Sequence, residues 1–182
     1  IDDFVGAQFE SRWRSLLLAD LRARTGSGDD AELRAGLQAL SNELDALEPL
    51  LDTEWQATGK RLVDAALADA GRPLQHTERW LRILDLVAAG SAAPPLPYVS
   101  GRITGPVLAQ ELEAVVQTVI DQCRTLEPYS DDARWLRANQ VTGRARTLSL
   151  LARDVFGKPA KQLRRNLEPV VTALAGTVRP DE

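Results

Sequence analysis

Basic side chains are concentrated in one stretch of the sequence, from Arg134 to Arg165. This stretch holds nine basic residues and one acidic residue, Asp154. Residues 26–70, by contrast, hold ten acidic and three basic residues. Guanidinium groups at this density can bind phosphates or carboxylates. The charge pattern therefore predicts that the two halves of the chain present surfaces of opposite sign.

An anionic partner for the basic stretch could be a nucleic acid or an acidic protein surface. Nucleic-acid-binding domains usually carry a net positive charge, whereas this chain has a formal net charge of −4 and a pI near 5.2. We therefore favour an acidic protein surface, either in the acidic half of the chain or in a neighbouring subunit. A homo-oligomer is one alternative, and nucleic-acid binding through residues 134–165 is another.

No residues have the spacing of a catalytic, metal or cofactor site. His76 is the only histidine and Cys123 the only cysteine, so a cysteine zinc site and an internal disulfide are excluded. Thr58-Gly59-Lys60 and Thr142-Gly143-Arg144 each contain one glycine and follow no predicted strand, unlike a phosphate-binding loop. We expect both glycines to permit close helix packing. An enzyme with an unfamiliar helical site is a further alternative.

Two similar segments, LEPLLDTEW from Leu47 and LEPYSDDARW from Leu126, indicate an internal duplication. An offset of 79 residues aligns the two Leu-Glu-Pro sequences, and one inserted residue then aligns Trp55 with Trp135. An offset of 86 aligns the segments that follow, and it places Trp80 opposite Asn166. Because the order of the matches is preserved, we interpret the chain as two copies of one unit.

Proline, glycine and aspartate positions predict three helices in each unit. We expect Leu-Glu-Pro to end the first helix and Asp52 or Asp132 to cap the second. Gly157 is predicted to end the second helix of the second unit. Gly90 is predicted to end the third helix of the first unit. Trp55 and Trp135 are then expected to be core residues, with a pair of aromatic anchors for a partner as the alternative.

The predicted fold is all-α with about seven helices, packed as a bundle or a short α-solenoid. The predicted boundaries are 1–24 for an N-terminal amphipathic helix, 25–90 for the first unit, 91–103 for a Pro-rich linker, 104–176 for the second unit and 177–182 for a tail. The N-terminal helix is expected to bury a stripe of Phe9, Trp13, Leu16, Leu17 and Leu21.

Composition also predicts the setting of the protein. We find no membrane span or secretory signal, which predicts a cytoplasmic protein. The chain lacks Met and begins at Ile1, so we expect a fragment of a larger protein. Its 19 Arg against 3 Lys indicate a bacterial genome rich in G and C.

Together these features predict a non-enzymatic helical module for protein interaction, scaffolding or regulation. We predict no catalytic residue, no cofactor and no metal. The partner is expected to be a protein, not a membrane. The residues predicted to contact it are Arg79, Trp80, Arg82, Arg137, Arg144, Arg146, Arg164 and Arg165.

Overall fold

The prediction of an all-α fold is confirmed. The structure is a computed structural model that describes residues 1–69, 73–96 and 104–175. Within these ranges it contains eight α-helices, two short 3-10 helices and no strand. The chain divides into two compact units, residues 1–102 and residues 103–182.

The first unit contains four long helices. They are α1 (Asp2–Thr25), α2 (Asp30–Ala46), α3 (Thr53–Ala68) and α4 (Glu78–Ala92), with 3-10 helices at Glu48–Leu50 and Leu74–His76. Side-chain oxygens of Asp29, Asp52 and Thr77 accept hydrogen bonds from backbone amides in the first turns of α2, α3 and α4. These caps satisfy amides that have no partner inside the helix.

The four helices of the first unit close into a bundle. Helix α1 packs against both α2 and α4, and α3 also packs against both. The indole Nε1 of Trp80 donates to Asp20 Oδ1 at 2.9 Å, while Gly6 near the start of α1 lies against Ser91 and Pro94 at the end of α4. Helices α1 and α4 are therefore antiparallel, and every helix has two neighbours.

The core of this bundle is filled by large side chains. Those with less than 2% exposure are Phe9, Leu16, Leu33, Leu37, Leu40, Leu44, Leu47, Leu74, Trp80 and Ile83. Helix α4 continues through Gly90, so the prediction that this glycine ends the helix is wrong. A Cβ at Gly90 would lie 3.0 Å from the Trp55 ring and 3.3 Å from Phe9. The glycine instead makes room for these two rings, whose centroids are 5.2 Å apart.

The predicted apolar stripe of α1 is only partly buried. Phe9 and Leu16 are enclosed, but Leu17 and Leu21 are 36% and 58% exposed. The buried face is defined instead by Val5, Phe9, Leu16 and Ala19. The predicted stripe includes residues beyond the buried face, because α1 contacts two helices and its remaining side faces solvent.

The second unit contains three long helices and one short one. They are α5 (Thr104–Arg124), α6 (Asp132–Leu151), α7 (Arg153–Phe156) and α8 (Lys158–Ala175). Helix α6 is central, because α5 and α8 both pack against it. The predicted single helix that ends at Gly157 is interrupted at Ala152, and Gly157, with a φ of 59°, ends α7.

The start of α6 corrects the predicted cap. Asp131, not Asp132, accepts the hydrogen bond from the Arg134 amide at 2.8 Å. Asp52 makes the matching bond with the Trp55 amide at 2.9 Å. The two caps are 79 residues apart, so no inserted residue is needed, and Trp135 stands one position further into its helix than Trp55.

The two Thr-Gly sequences also differ. A Cβ at Gly59 would lie 3.2 Å from Leu86 and 3.3 Å from Leu44, so this glycine permits close helix packing as predicted. At Gly143 no atom would lie within 4 Å of an added Cβ. The prediction of close packing is wrong there, because the side of α6 that bears Gly143 faces open space.

Burial also argues against the offset of 86 between α4 and α8. Trp80 is fully buried, whereas Asn166, its counterpart at that offset, is exposed. An offset of 87 pairs Trp80 with buried Leu167 and Val87 with buried Leu174. A shift of one residue rotates a helix face by about 100°. The duplication itself stays a prediction.

None of the helices in the described ranges is both long and apolar enough to cross a membrane. The sequence also predicts helix ends at Gly71 and Gly176 and a Tyr98 packed onto a helix. These residues and the tail 177–182 lie outside the described ranges.

Candidate functional site

The clearest concave surface of the second unit is a groove along α8, beside α6. It has a volume of about 770 Å³ and lies open to solvent. The residues that line it are Arg146, Arg164, Arg165, Glu168, Pro169, Thr172 and Ala173. Arg146 belongs to α6 and the others belong to α8. Three of the eight predicted contact residues are therefore brought together here.

The groove extends into a smaller depression through a shared residue. Arg164 also lines a depression of about 110 Å³ with Ser149, Leu150, Arg153 and Lys161. We use the name cationic groove for the continuous surface formed by both, with Arg146, Arg153, Lys161, Arg164 and Arg165 as its basic residues. Lys161, Arg164 and Arg165 form no ion pair with any residue that the structure describes.

One carboxylate lies inside the cationic groove. Glu168 Oε2 accepts from Arg146 Nε at 2.9 Å, and Oε1 accepts from Nη2 at 3.3 Å. Both side chains are about half exposed. An ion pair this exposed contributes less than about 1 kcal/mol, so a partner can replace either member at small cost.

Pro169, on the floor of the groove, leaves one backbone carbonyl of α8 without its usual helical donor. It lies inside α8 and has no N–H, so the carbonyl of Arg165, four residues earlier, lacks its helical donor. Pro169 and Ala173 are also exposed and short, one turn apart on the same side of the helix. The groove therefore has a shallow apolar floor between charged side chains.

The remaining basic candidates of α6 do not join this surface. Arg144 and Arg146 are two residues apart, which is about 200° around a helix, and Arg137 lies seven residues before Arg144. Arg137 and Arg144 therefore lie on the flank of α6 opposite Arg146. Helical rotation therefore leaves these two residues outside the groove, and their predicted contact with a partner stays a prediction.

Each candidate in the first unit already has a bonding partner within that unit. Trp80 is 0% exposed and bonded to Asp20, so the prediction that it lines an exposed groove is wrong. Arg79 donates to the Ala65 carbonyl at 2.9 Å, near the end of α3. Arg82 pairs with Glu78 at 2.7 Å. Both arginines line a depression of about 350 Å³, but their charges are balanced by carboxylates along it.

The tryptophans predicted to be core residues are half-buried at their helix starts. Trp55 contacts Phe9 edge to face, at a centroid distance of 5.2 Å. Trp55 and Trp135 are therefore less enclosed than Trp80.

Residues that could ligate a metal ion do not cluster in the part of the chain that the structure describes. Within the described ranges no three His, Cys or carboxylate residues come together to hold a metal ion. His76 is exposed. Cys123 is half-buried, and burial raises the pKa of its thiol. A raised pKa reduces the thiolate fraction and so the reactivity of the sulfur.

Sequence reasoning included Lys161 and Arg153 in the basic stretch but did not choose them as contacts, and it missed Glu168. Lys161, Arg165, Glu168 and Thr172 follow one another at spacings of three or four, which is the signal for one helix face. That periodicity could have found them.

No family model, no curated protein and no solved structure matches this chain.

Proposed function

We propose that this chain is a non-enzymatic helical interaction module that binds a protein partner in the cationic groove of its second unit. The observation that carries the proposal is the mixed lining of that groove. Unpaired cations, one carboxylate and a small apolar floor lie side by side on α8. Protein surfaces offer matching groups of all three kinds.

The residues proposed to contact the partner are those that share this surface. Arg146, Arg164 and Arg165 keep the role that the sequence suggested, and Lys161 joins them. Guanidinium groups suit this task because they hold carboxylates through two parallel hydrogen bonds. The expectation of a bacterial, cytoplasmic protein is kept in this proposal and rests on the sequence alone.

Nucleic-acid binding is the second candidate, favoured by the density of cations on α6 and α8. A phosphate backbone carries only negative charge, however, and would meet Glu168 inside the groove. The apolar floor at Pro169 and Ala173 also has no counterpart on a phosphate backbone. These two features favour a protein partner.

The test is photo-crosslinking in cells that express the full-length protein. A photoreactive residue at Thr172, inside the groove, should give one discrete protein adduct. The same residue at Gln140, which is exposed on α6 outside the groove, is the matched control and should not give that adduct. Adding Arg164→Glu and Arg165→Glu should abolish the Thr172 adduct. Adducts to nucleic acid alone, or none at Thr172, would overturn the proposal.

A further inference from the structure

We infer that the occupant of the cationic groove is an amphipathic helix with acidic residues beside its apolar face. This inference rests on the proposed function and goes on to specify the chemistry of the partner. Its starting point is the shape of the groove. Arg165, Pro169, Thr172 and Ala173 all line it, and their spacing of four, three and one places them on one stripe of α8.

A stripe of this kind can bind a helix of the partner. From Lys161 to Ala173 the groove follows thirteen residues of α8, which span about 18 Å because each step along a helix rises 1.5 Å. The side chains on its floor are the short ones of Pro169 and Ala173, so a partner backbone can approach α8 closely. Helices bind in such grooves by placing apolar side chains one turn apart on the floor.

The charges around the floor specify what flanks those apolar side chains. Lys161, Arg164 and Arg165 form no ion pair with the described residues. Each can therefore donate to a partner carboxylate without first giving up an existing ion pair. Arg146 can exchange its exposed bond with Glu168 for one with the partner. The five cations of the groove outnumber its one carboxylate, which favours an acidic partner.

Glu168 distinguishes this occupant from nucleic acid. A helix can place a lysine, an amide or a small side chain against Glu168, but a polyphosphate has no such choice. The carboxylate therefore disfavours a uniform polyanion and leaves a mixed, mainly acidic surface as the fitting one.

The test uses synthetic peptides and the full chain. A fluorescent helical peptide of about 14 residues, with a leucine stripe flanked by glutamates, is titrated with the protein at about 50 mM salt, where screening is weak. Its counterpart with lysine in place of every glutamate, and a labelled DNA duplex, are titrated in parallel. Anisotropy should show the glutamate peptide binding at least about tenfold more tightly than either.

Three variants locate the binding. The pair Arg164→Glu and Arg165→Glu should weaken the glutamate peptide by at least about tenfold. The matched pair Arg134→Glu and Arg137→Glu, exposed on α6 outside the groove, changes the net charge equally and should have less than about a threefold effect. Ala173→Trp changes no charge but fills the floor, and should also weaken the peptide by about tenfold.

Equal weakening by the two charge-reversed pairs would contradict binding in the cationic groove, since it would mean that net charge alone attracts the peptide. If the DNA binds more tightly than the glutamate peptide, or if Ala173→Trp has no effect, the inference that the occupant is an acidic helix is wrong. If Thr172 still crosslinks one protein in cells while the glutamate peptide fails, the interaction module stands and only its proposed occupant falls.

Discussion

The two units of this protein differ in how completely their helices enclose a core. In the first unit four helices form a ring, and ten of the twelve largest fully buried side chains described belong to it. In the second unit α5 and α8 pack on α6, and only Leu108 and Leu148 are in that set. The candidate interaction groove lies in the second unit. A helix with neighbours on fewer sides keeps more of its surface for a partner.

Positions that the predicted duplication pairs at an offset of 79 illustrate this difference. Leu37 and Leu44 of α2 are fully buried, while Val116 and Cys123, which are 79 residues further on in α5, are half-buried. Similar apolar patterns therefore give a tighter core where α1 adds a fourth helix. We expect the first unit to resist unfolding more than the second.

The largest expected effect is at Trp80. Trp80→Ala removes a fully buried indole together with its hydrogen bond to Asp20 Oδ1, so it should destabilise the first unit by about 3–5 kcal/mol. Urea unfolding followed by circular dichroism, with hydrogen exchange of α4, measures this loss. Trp135→Ala is the control, because this side chain is half-buried and should cost about half as much or less. Equal losses would contradict the difference in packing.

Truncation at Leu44 and at Cys123, which the predicted duplication pairs, tests the same difference more directly. Leu44→Ala should cost about 2–4 kcal/mol, because Leu44 is enclosed and packs against Gly59. Cys123→Ala should cost less than about 1 kcal/mol, because the thiol is small and half-buried. Both losses can be read from urea midpoints. A costly Cys123→Ala would show that the second unit has a tighter core than its exposure indicates.

Two ion pairs give a smaller contrast. Arg12 of α1 binds Glu43 of α2 through both carboxylate oxygens, and both side chains are largely buried. The hydrogen bond to Glu43 raises the pKa of Arg12 despite the opposing effect of burial. Arg12→Ala should therefore cost about 2 kcal/mol, since it leaves a buried carboxylate uncompensated.

Its counterpart in the second unit is the exposed pair of Arg146 and Glu168. Arg146→Ala should cost less than about 1 kcal/mol and should leave urea unfolding nearly unchanged. The contrast breaks down if both substitutions destabilise the protein alike.

The smallest expected effect is a pH dependence at Asp30. Burial acts to raise the pKa of this carboxyl, but hydrogen bonds from the Leu74 amide and the Arg34 guanidinium outweigh it and lower the pKa below 3.8. A lowered pKa in the folded state means that the stabilisation is present above the unfolded pKa. It is lost as the pH falls through the folded value.

Urea midpoints measured from about pH 5 to about pH 2 should therefore show that wild type exceeds Asp30→Asn at the upper end, with the gap closing on acidification. Asp29→Asn is the matched control, since Asn caps a helix as well as Asp does. A gap that stays constant with pH would mean that the Asp30 carboxylate does not stabilise the fold.

Much of the local structure could be predicted from the sequence. The helices, the cap at Asp52 and the cluster of basic residues follow from neighbours in the chain. The sequence could also suggest Arg146, Arg164 and Arg165, because they belong to a basic stretch. It could not show that Trp80 is enclosed, since an amphipathic helix does not reveal how many other helices will cover it.

The charge distribution and the approximate positions of the helices were thus determined by the sequence itself, because capping, helix propensity and proline geometry act within a few residues. The tertiary structure alone decided which faces are covered. A single residue of register turns a face by about 100°, which buried Trp80, exposed Asn166 and separated Arg144 from Arg146. The groove on α8 exists for the same reason. Helix α8 buries the face that bears Ala160, Leu167 and Leu174, while Lys161 and Arg165 remain exposed.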